Sequence, residues 1–88
     1  MIPNAFTPNT DGHNDFFKPE FKGMETVRMA IFDTWSNMIY LESGSEIHGW
    51  DGMINGKYAE NGNYLYIISV KSIEGEKTEY KGLFILIR

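Results

Sequence analysis

The sequence predicts an all-β domain, built as a sandwich or a barrel of short strands. Turn signals separate strand-like stretches at intervals of about 8–12 residues, which is typical of these folds. Nine glycines and three prolines interrupt the 88 residues, and no stretch shows the 3.6-residue period of a helix. The length suffices for one domain with a thin core, so residues 1–88 are predicted to form a single unit.

The first strands follow a turn-rich opening. Asn and Asp beside Pro and Gly favour turns in residues 1–15, with a short strand near Asn4–Thr7. Residues 26–32 then alternate, placing Val27, Met29 and Ile31 on one face. This period of two predicts a half-buried strand.

A hairpin is predicted next. Asp33–Asn37 has the composition of its turn, and Met38–Leu41 forms the returning strand. Ser43–Ser45 is then expected to be a loop, because two serines flank a glycine there.

The second half of the chain predicts the two strongest strands. Tyr64–Lys71 is rich in aromatic and β-branched residues, and Glu74–Glu76 turns the chain back. Glu79–Arg88 forms the last strand, whose segment 83–87 is apolar on both faces, as expected well inside a sheet or a sandwich. Three further turn signals precede these strands: Trp50-Asp51-Gly52, Asn55-Gly56 and Glu60–Asn63.

Composition and charge exclude several classes of function. The formal net charge is −4 with scattered basic residues, which argues against nucleic acid as a partner. The chain has no cysteine, so disulfide scaffolds, thiolate metal sites and cysteine nucleophiles are excluded. No apolar run approaches the ~18 residues of a spanning helix, so no direct membrane insertion is expected.

The sequence gives little indication of a catalytic site. A Ser–His–Asp triad could be assembled from a serine with His48 and Asp51, but a triad is defined by geometry rather than by composition. No nucleophile-elbow, P-loop or His-Glu-x-x-His motif occurs. We expect His48 to be a solvated loop residue and the domain not to be an enzyme.

One segment resembles part of a calcium loop. Asn9, Asp11 and Asp15 bring oxygen ligands close to a glycine, Gly12, as calcium sites do. The pattern then departs from an EF-hand, which has a bidentate Glu where this chain has Lys18. The three residues are therefore candidate calcium ligands, while Asx-turns that need no ion are the favoured explanation.

Five aromatic residues could serve either a surface or the core. Exposed together, they would form a platform on which sugars stack; buried, they would enlarge a small core, which we expect for most of them. They are Trp35, Trp50, Tyr58, Tyr64 and Tyr66.

Short motifs follow one another from end to end of the chain: Ile2–Asn9, Asp11–Asp15, Trp50–Gly52, Asn55-Gly56, Gly62–Tyr66 and Lys81–Arg88. Their order resembles the gliding motility-associated C-terminal domain, the type B sorting domain of the type IX secretion system. Carried over residue by residue, the sorting motif comprises Pro3, Asn4, Phe6, Thr7, Pro8, Asn9, Asp11, Gly12, Asn14, Asp15, Trp50, Asp51, Gly52, Gly62, Tyr64, Tyr66, Gly82, Leu86 and Arg88.

The resemblance implies a fold and a role. The fold is an immunoglobulin-like antiparallel β-sandwich of about seven short strands. The role is that of a C-terminal sorting signal, taken from a longer exported protein, that directs a passenger through the periplasm and across the outer membrane to the cell surface or the medium. Its partners are outer-membrane components of the type IX secretion machinery and the passenger domains that precede it.

Two departures from the family and two alternatives accompany this interpretation. Thr10 and Ser36 stand where the family usually has Gly, so a positive-φ position in the middle hairpin is expected to carry a side chain. We expect Gly82–Arg88 and the loop Pro3–Asp15 to form the recognised face, since an edge strand can pair with a partner strand. The alternatives are a cell-surface module that binds glycan or calcium, and a structural spacer.

Overall fold

The computed structural model describes residues 2–8 and 16–88, and within them it contains strands and no helix. Five strands form one sheet in the order β1-β7-β6-β2-β3, and β4 pairs with β5 in a small second sheet. The all-β, sandwich-like fold with about seven short strands is confirmed. The strands are β1 (Ala5–Phe6), β2 (Met24–Phe32), β3 (Met38–Gly44), β4 (Met53–Ile54), β5 (Lys57–Tyr58), β6 (Gly62–Ser72) and β7 (Lys77–Leu86).

Strand β2 has the alternation that its sequence predicts. Val27, Met29 and Ile31 are at most 7% exposed and face the core. The strand pairs antiparallel with β3 on one side and β6 on the other. Strand β3 runs on through Ser43 to Gly44, so the loop predicted at this point begins later. The reason is that Arg28 and Val27 of β2 continue to pair with these residues.

The turn between β2 and β3 is fixed by one carboxylate. Asp33 accepts hydrogen bonds of 2.9 Å from the backbone N–H groups of Trp35 and Asn37. The hydrogen bond from Asn37 is the main reason why the pKa of Asp33 lies below its usual value. Ser36 adopts a φ of +67°, so a serine indeed occupies the expected positive-φ position.

The last strand has β6 along one side and, at Ile85 and Leu86 alone, β1 along the other. It pairs antiparallel with β6 and parallel with β1, where Ala5 lies opposite Ile85 and Phe6 opposite Leu86. The parallel pair departs from an all-antiparallel arrangement. It is possible because the chain between the two strands crosses the whole domain, whereas a short hairpin can join only antiparallel strands.

An aromatic core fills the space between the two sheets. Phe17 and Phe84 stack with ring centroids 3.8 Å apart, and Phe6 and Trp50 pack beside them, each at most 1% exposed. Trp50 is held there by paired backbone hydrogen bonds of 2.7 and 2.9 Å with Phe17. The described residues include no helix long and apolar enough to cross a membrane.

Candidate functional site

The side chain of Arg88 joins the two sheets at one corner of the domain. Its Nη1 donates to the carbonyl oxygen of Ala59 and its Nη2 to that of Gly52, both at 2.7 Å. The Arg88 backbone N–H donates to Oδ1 of Asn61 at 3.1 Å. The planar guanidinium therefore holds the loops on both sides of the β4–β5 hairpin, which a lysine could not do in the same geometry.

An aromatic ring completes the contacts of this guanidinium. Its Cζ lies 4.5 Å from the ring centroid of Tyr58, within the range of a cation–π interaction. Tyr58 is 74% exposed, so one ring face lies on Arg88 while much of the side chain stays in water.

Gly52 is required where it stands. Its φ is +80°, and a Cβ at this position would lie 2.6 Å from Nη2 of Arg88, 3.3 Å from Cγ of Pro8 and 3.4 Å from Cε2 of Phe6. Four residues of the sorting motif therefore meet around a point where no side chain fits. We call these four residues (Phe6, Pro8, Gly52 and Arg88) the motif corner.

The Trp50-Asp51-Gly52 segment is ordered by hydrogen bonds between its own groups and the neighbouring backbone. Oδ1 of Asp51 accepts a hydrogen bond of 3.0 Å from the N–H of Met53, the Asx-type contact common in turns. The indole Nε1 of Trp50 donates to the Met53 carbonyl oxygen at 3.0 Å, which satisfies its polar atom inside the core. The carbonyl oxygen of Gly52 also accepts from the N–H of Ala59 at 2.9 Å.

The tyrosines of the motif divide between the core and the sheet. Tyr64 is 6% exposed and donates a 2.6 Å hydrogen bond to the carbonyl oxygen of Glu60, and burial raises the pKa of its phenol. Tyr66 is half-buried over Gly82, where a Cβ would lie 2.5 Å from the phenol oxygen. The glycine therefore leaves room for the tyrosine ring across the strand pair.

A carboxylate outside the sorting motif, that of Glu42, fixes the loop before Trp50. Glu42 accepts hydrogen bonds from the N–H groups of His48 and Gly49 and from the hydroxyl of Tyr40, at 2.8–3.0 Å. Burial raises the pKa of Glu42, but these donors together outweigh it and leave the pKa below its usual value. Burial and the neighbouring Glu42 raise the pKa of Tyr40. A single glutamate six and seven residues before the N–H groups that it accepts from carries no recognisable sequence signal.

The structure brings together much of the predicted motif from both ends of the chain. The carbonyl oxygens of Asn4 and Phe6 accept hydrogen bonds of 3.1 and 2.9 Å from the N–H groups of Ile85 and Ile87. Leu86 is fully buried and pairs with Phe6 on one side and Gly62 on the other. Pro3 and Thr7 are half-buried beside this seam. The motif residues Asn9, Asp11, Gly12, Asn14 and Asp15, including the candidate calcium ligands, lie outside the described residues.

Other candidate chemistries can be compared with the geometry. The His48 side chain is 91% exposed and its Nδ1 lies 3.3 Å from the Glu42 carboxylate, so it is the solvated loop residue expected. Within residues 2–8 and 16–88, no three His, Asp or Glu side chains are grouped to hold a metal. Of the five aromatic residues considered for a platform, Trp50 and Tyr64 are buried, while Trp35 is 84% exposed at the hairpin turn.

Comparison with known proteins addresses the family directly. The family model that matches is the CHU_C Type IX secretion signal domain, and the match covers residues 1–87. A search of curated proteins finds no match. The match covers nearly the whole chain, including every residue of the sorting motif except Arg88, and the type IX secretion signal domain is the family to which this chain belongs.

Proposed function

We propose that this domain is the address by which a passenger protein is carried across the outer membrane by the type IX secretion machinery. The observation that carries the proposal is the family match over residues 1–87. It is supported by the seam between β1 and β7, where both ends of the motif lie side by side. The family is not an enzymatic one, and we propose that the domain contributes a recognised shape rather than a reaction.

The motif corner suggests how the sorting motif acts. Phe6 is buried, and Gly52 and Arg88 hold the two sheets together, so these residues stabilise the shape that is read. Segments 3–8 and 82–88 lie next to each other, which supports the proposal that they contribute to one recognised face. We further propose passage through the periplasm, outer-membrane components of the machinery as partners, and display at the cell surface or release.

A secretion assay tests this function. A signal peptide and a fluorescent reporter are fused before the complete chain, and the fusion is expressed in a host with the type IX machinery and in a mutant without it. We expect reporter outside the first host and periplasmic reporter in the second. A folded domain whose reporter stays in the periplasm of both hosts would contradict the proposal and favour a surface binding module.

The last strand is tested in the same assay. A fusion without Phe84–Arg88 should lose export, because the deletion removes Leu86 from the sheet and Arg88 from the motif corner. Export that survives this deletion would contradict a role for the last strand.

A further inference from the structure

The outer face of the large sheet, which points away from the aromatic core, is apolar at the end near the β2–β3 turn. Strand register places Phe32 opposite Met38 and Leu65, and Leu65 opposite Leu83. In the next row Ala30 lies between Leu41 and Ile67. Directly paired residues in adjacent strands share a face. We call the six large side chains the outer apolar face: Phe32, Met38, Leu41, Leu65, Ile67 and Leu83.

These side chains do not belong to the core. None of the six is part of the buried core cluster or packs against it, whereas Val27, Met29 and Ile31 of the same β2 strand do. Leu83 is 59% exposed, and Met38 and Leu41 are each 49% exposed. The solvent side of an antiparallel sheet is normally polar, so a contiguous apolar patch at this place indicates an interaction surface.

The patch is grooved rather than flat. Phe32, Leu65, Ile67 and Leu83 line an open groove together with Lys81. A groove of this kind accepts protruding side chains of a protein partner. The fluid surface of a lipid bilayer presents no fixed side chains that would match its shape.

The rest of the same face carries positive charge. Arg28, Lys71, Lys77 and Lys81 lie on β2, β6 and β7 at or beyond the row of Ile67. One carboxylate, Glu79, stands in the row of Arg28, where both residues pair with Ser69. Glu79 lies 3.3 Å from Lys81. The three other cations form no ion pair with any residue in the described ranges. Half of the eight basic residues of a chain with a net charge of −4 are thus beside the apolar patch.

We propose that the outer apolar face and its four cations dock a protein surface of the export machinery that presents apolar side chains next to carboxylates. This inference rests on the proposed function. Charge complementarity selects this occupant, because cations on one partner attract carboxylates on the other and steer the encounter. If a second copy of the chain bound to the same face, its cations would lie opposite those of the first copy and repel them. A negatively charged membrane would repel the acidic remainder of the chain.

Site-specific photocrosslinking tests the surface in the reporter fusion. The photoreactive residue p-benzoylphenylalanine replaces Leu83, or replaces Ile73 as the matched control, since Ile73 is 73% exposed in the β6–β7 turn and outside the apolar face. We expect an adduct with an outer-membrane component of the machinery from position 83 only. Its linked peptide should be rich in Asp and Glu, and the adduct should be absent from the machinery-null host.

Charge reversal tests the complementarity. Arg28→Glu with Lys77→Glu should reduce the adduct from position 83 by roughly tenfold or more, because like charges then oppose each other across the interface. Thermal melts of each purified variant establish that it is folded. An unchanged adduct in the folded double variant would overturn the inference.

The outcomes separate this inference from the proposed function. Export of the unmodified reporter without an adduct at position 83 would overturn the docking surface and leave the sorting role intact. An adduct between two copies, or pelleting of the purified chain with phosphatidylethanolamine–phosphatidylglycerol vesicles that Lys77→Glu abolishes, would also overturn it. A reporter that is never exported would overturn the sorting role and, with it, this surface.

Discussion

Nη2 of Arg88 lies 2.7 Å from the carbonyl oxygen of Gly52, across 36 residues of sequence. Through this hydrogen bond the end of the chain holds the turn that follows Trp50, and through its partner bond to Ala59 it holds the other side of the same hairpin. The small sheet is therefore attached to the large one by a charged side chain in addition to the aromatic core.

Replacing Arg88 should destabilise the domain. Arg88→Ala removes two charge-assisted hydrogen bonds and the contact with Tyr58, and we expect a loss of about 1–2 kcal/mol in the free energy of unfolding, given that the side chain is partly solvated. Arg88→Lys should recover less than half of the loss. Urea unfolding measures both, with Lys22→Ala as an exposed control. A variant within about 0.3 kcal/mol of the parent would show that the corner contributes nothing to stability.

Two glycines with the same φ allow the cost of backbone strain to be measured separately from the cost of steric crowding. Gly52 and Gly56 both have a φ of +80°, but a Cβ at Gly56 meets nothing within 4 Å. Gly56→Ala should cost about 1 kcal/mol for the left-handed backbone alone. Gly52→Ala should cost about 2–4 kcal/mol, because Arg88, Phe6 and Pro8 must also move. Equal losses of unfolding free energy for the two variants, measured by chemical denaturation, would mean that the other residues of the motif corner move aside at no energetic cost.

The Glu42 carboxylate gives the domain a specific dependence on pH. The pKa of Glu42 is lower in the folded state than the ordinary value of 4.5. The contribution of its carboxylate to the free energy of unfolding is therefore complete above pH 4.5 and is lost as the pH falls through the folded pKa. Glu42→Gln places an amide N–H against a backbone N–H and should cost about 1.5–3 kcal/mol at pH 7.

The comparison of pH values tests the cause of that loss. The difference between the parent and Glu42→Gln should shrink as the pH falls below 4.5 and through the lowered pKa of Glu42, where the parent carboxylate becomes protonated. Denaturant melts at several pH values measure it, and Glu46→Gln, at an exposed position of the same loop, is the control. A difference that stays constant with pH would point to packing rather than to charge.

The calcium prediction can be decided without a structure of the segment 9–15. We favour Asx-turns, so the melting temperature should be the same in millimolar Ca²⁺ and in EGTA. A bound ion would instead stabilise the fold by about 2.7 kcal/mol at 100 times its dissociation constant. Asp11→Asn keeps the turn-forming carbonyl and removes the charge. A calcium-dependent rise in melting temperature that this variant abolishes would establish the site.

Local patterns predicted much of the fold. The alternation of Val27, Met29 and Ile31 and the Asp33 turn each depend on neighbours within a few residues, and the structure has both. The extension of β3 to Gly44 was missed because its cause is pairing with β2 rather than its own composition. The strands flanking Asn55-Gly56 are only two residues long, so the turn was recognisable and the strands were not.

Contacts between distant residues were beyond prediction from the sequence. Neither the parallel pairing of Phe6 with Leu86 nor the hydrogen bond between Arg88 and Gly52 follows from spacing or composition. The segment 83–87 was expected to be enclosed because it is apolar on both faces. Phe84 and Leu86 are enclosed, but Leu83 remains 59% exposed, because its face of the sheet points away from the aromatic core.

The pairing of β7 with β1 has a consequence for how the domain acquires its structure. The strand nearest the end of the chain contacts both β6 and β1, and its partner Ala5 lies 80 residues before Ile85. A chain that emerges from its amino terminus first, from a ribosome or through a pore, therefore cannot form the β1–β7 pair until residues 85–86 have appeared. Because closing so long a loop is entropically costly and the contact order is high, the complete fold forms late, after the segment that carries β7 has been delivered.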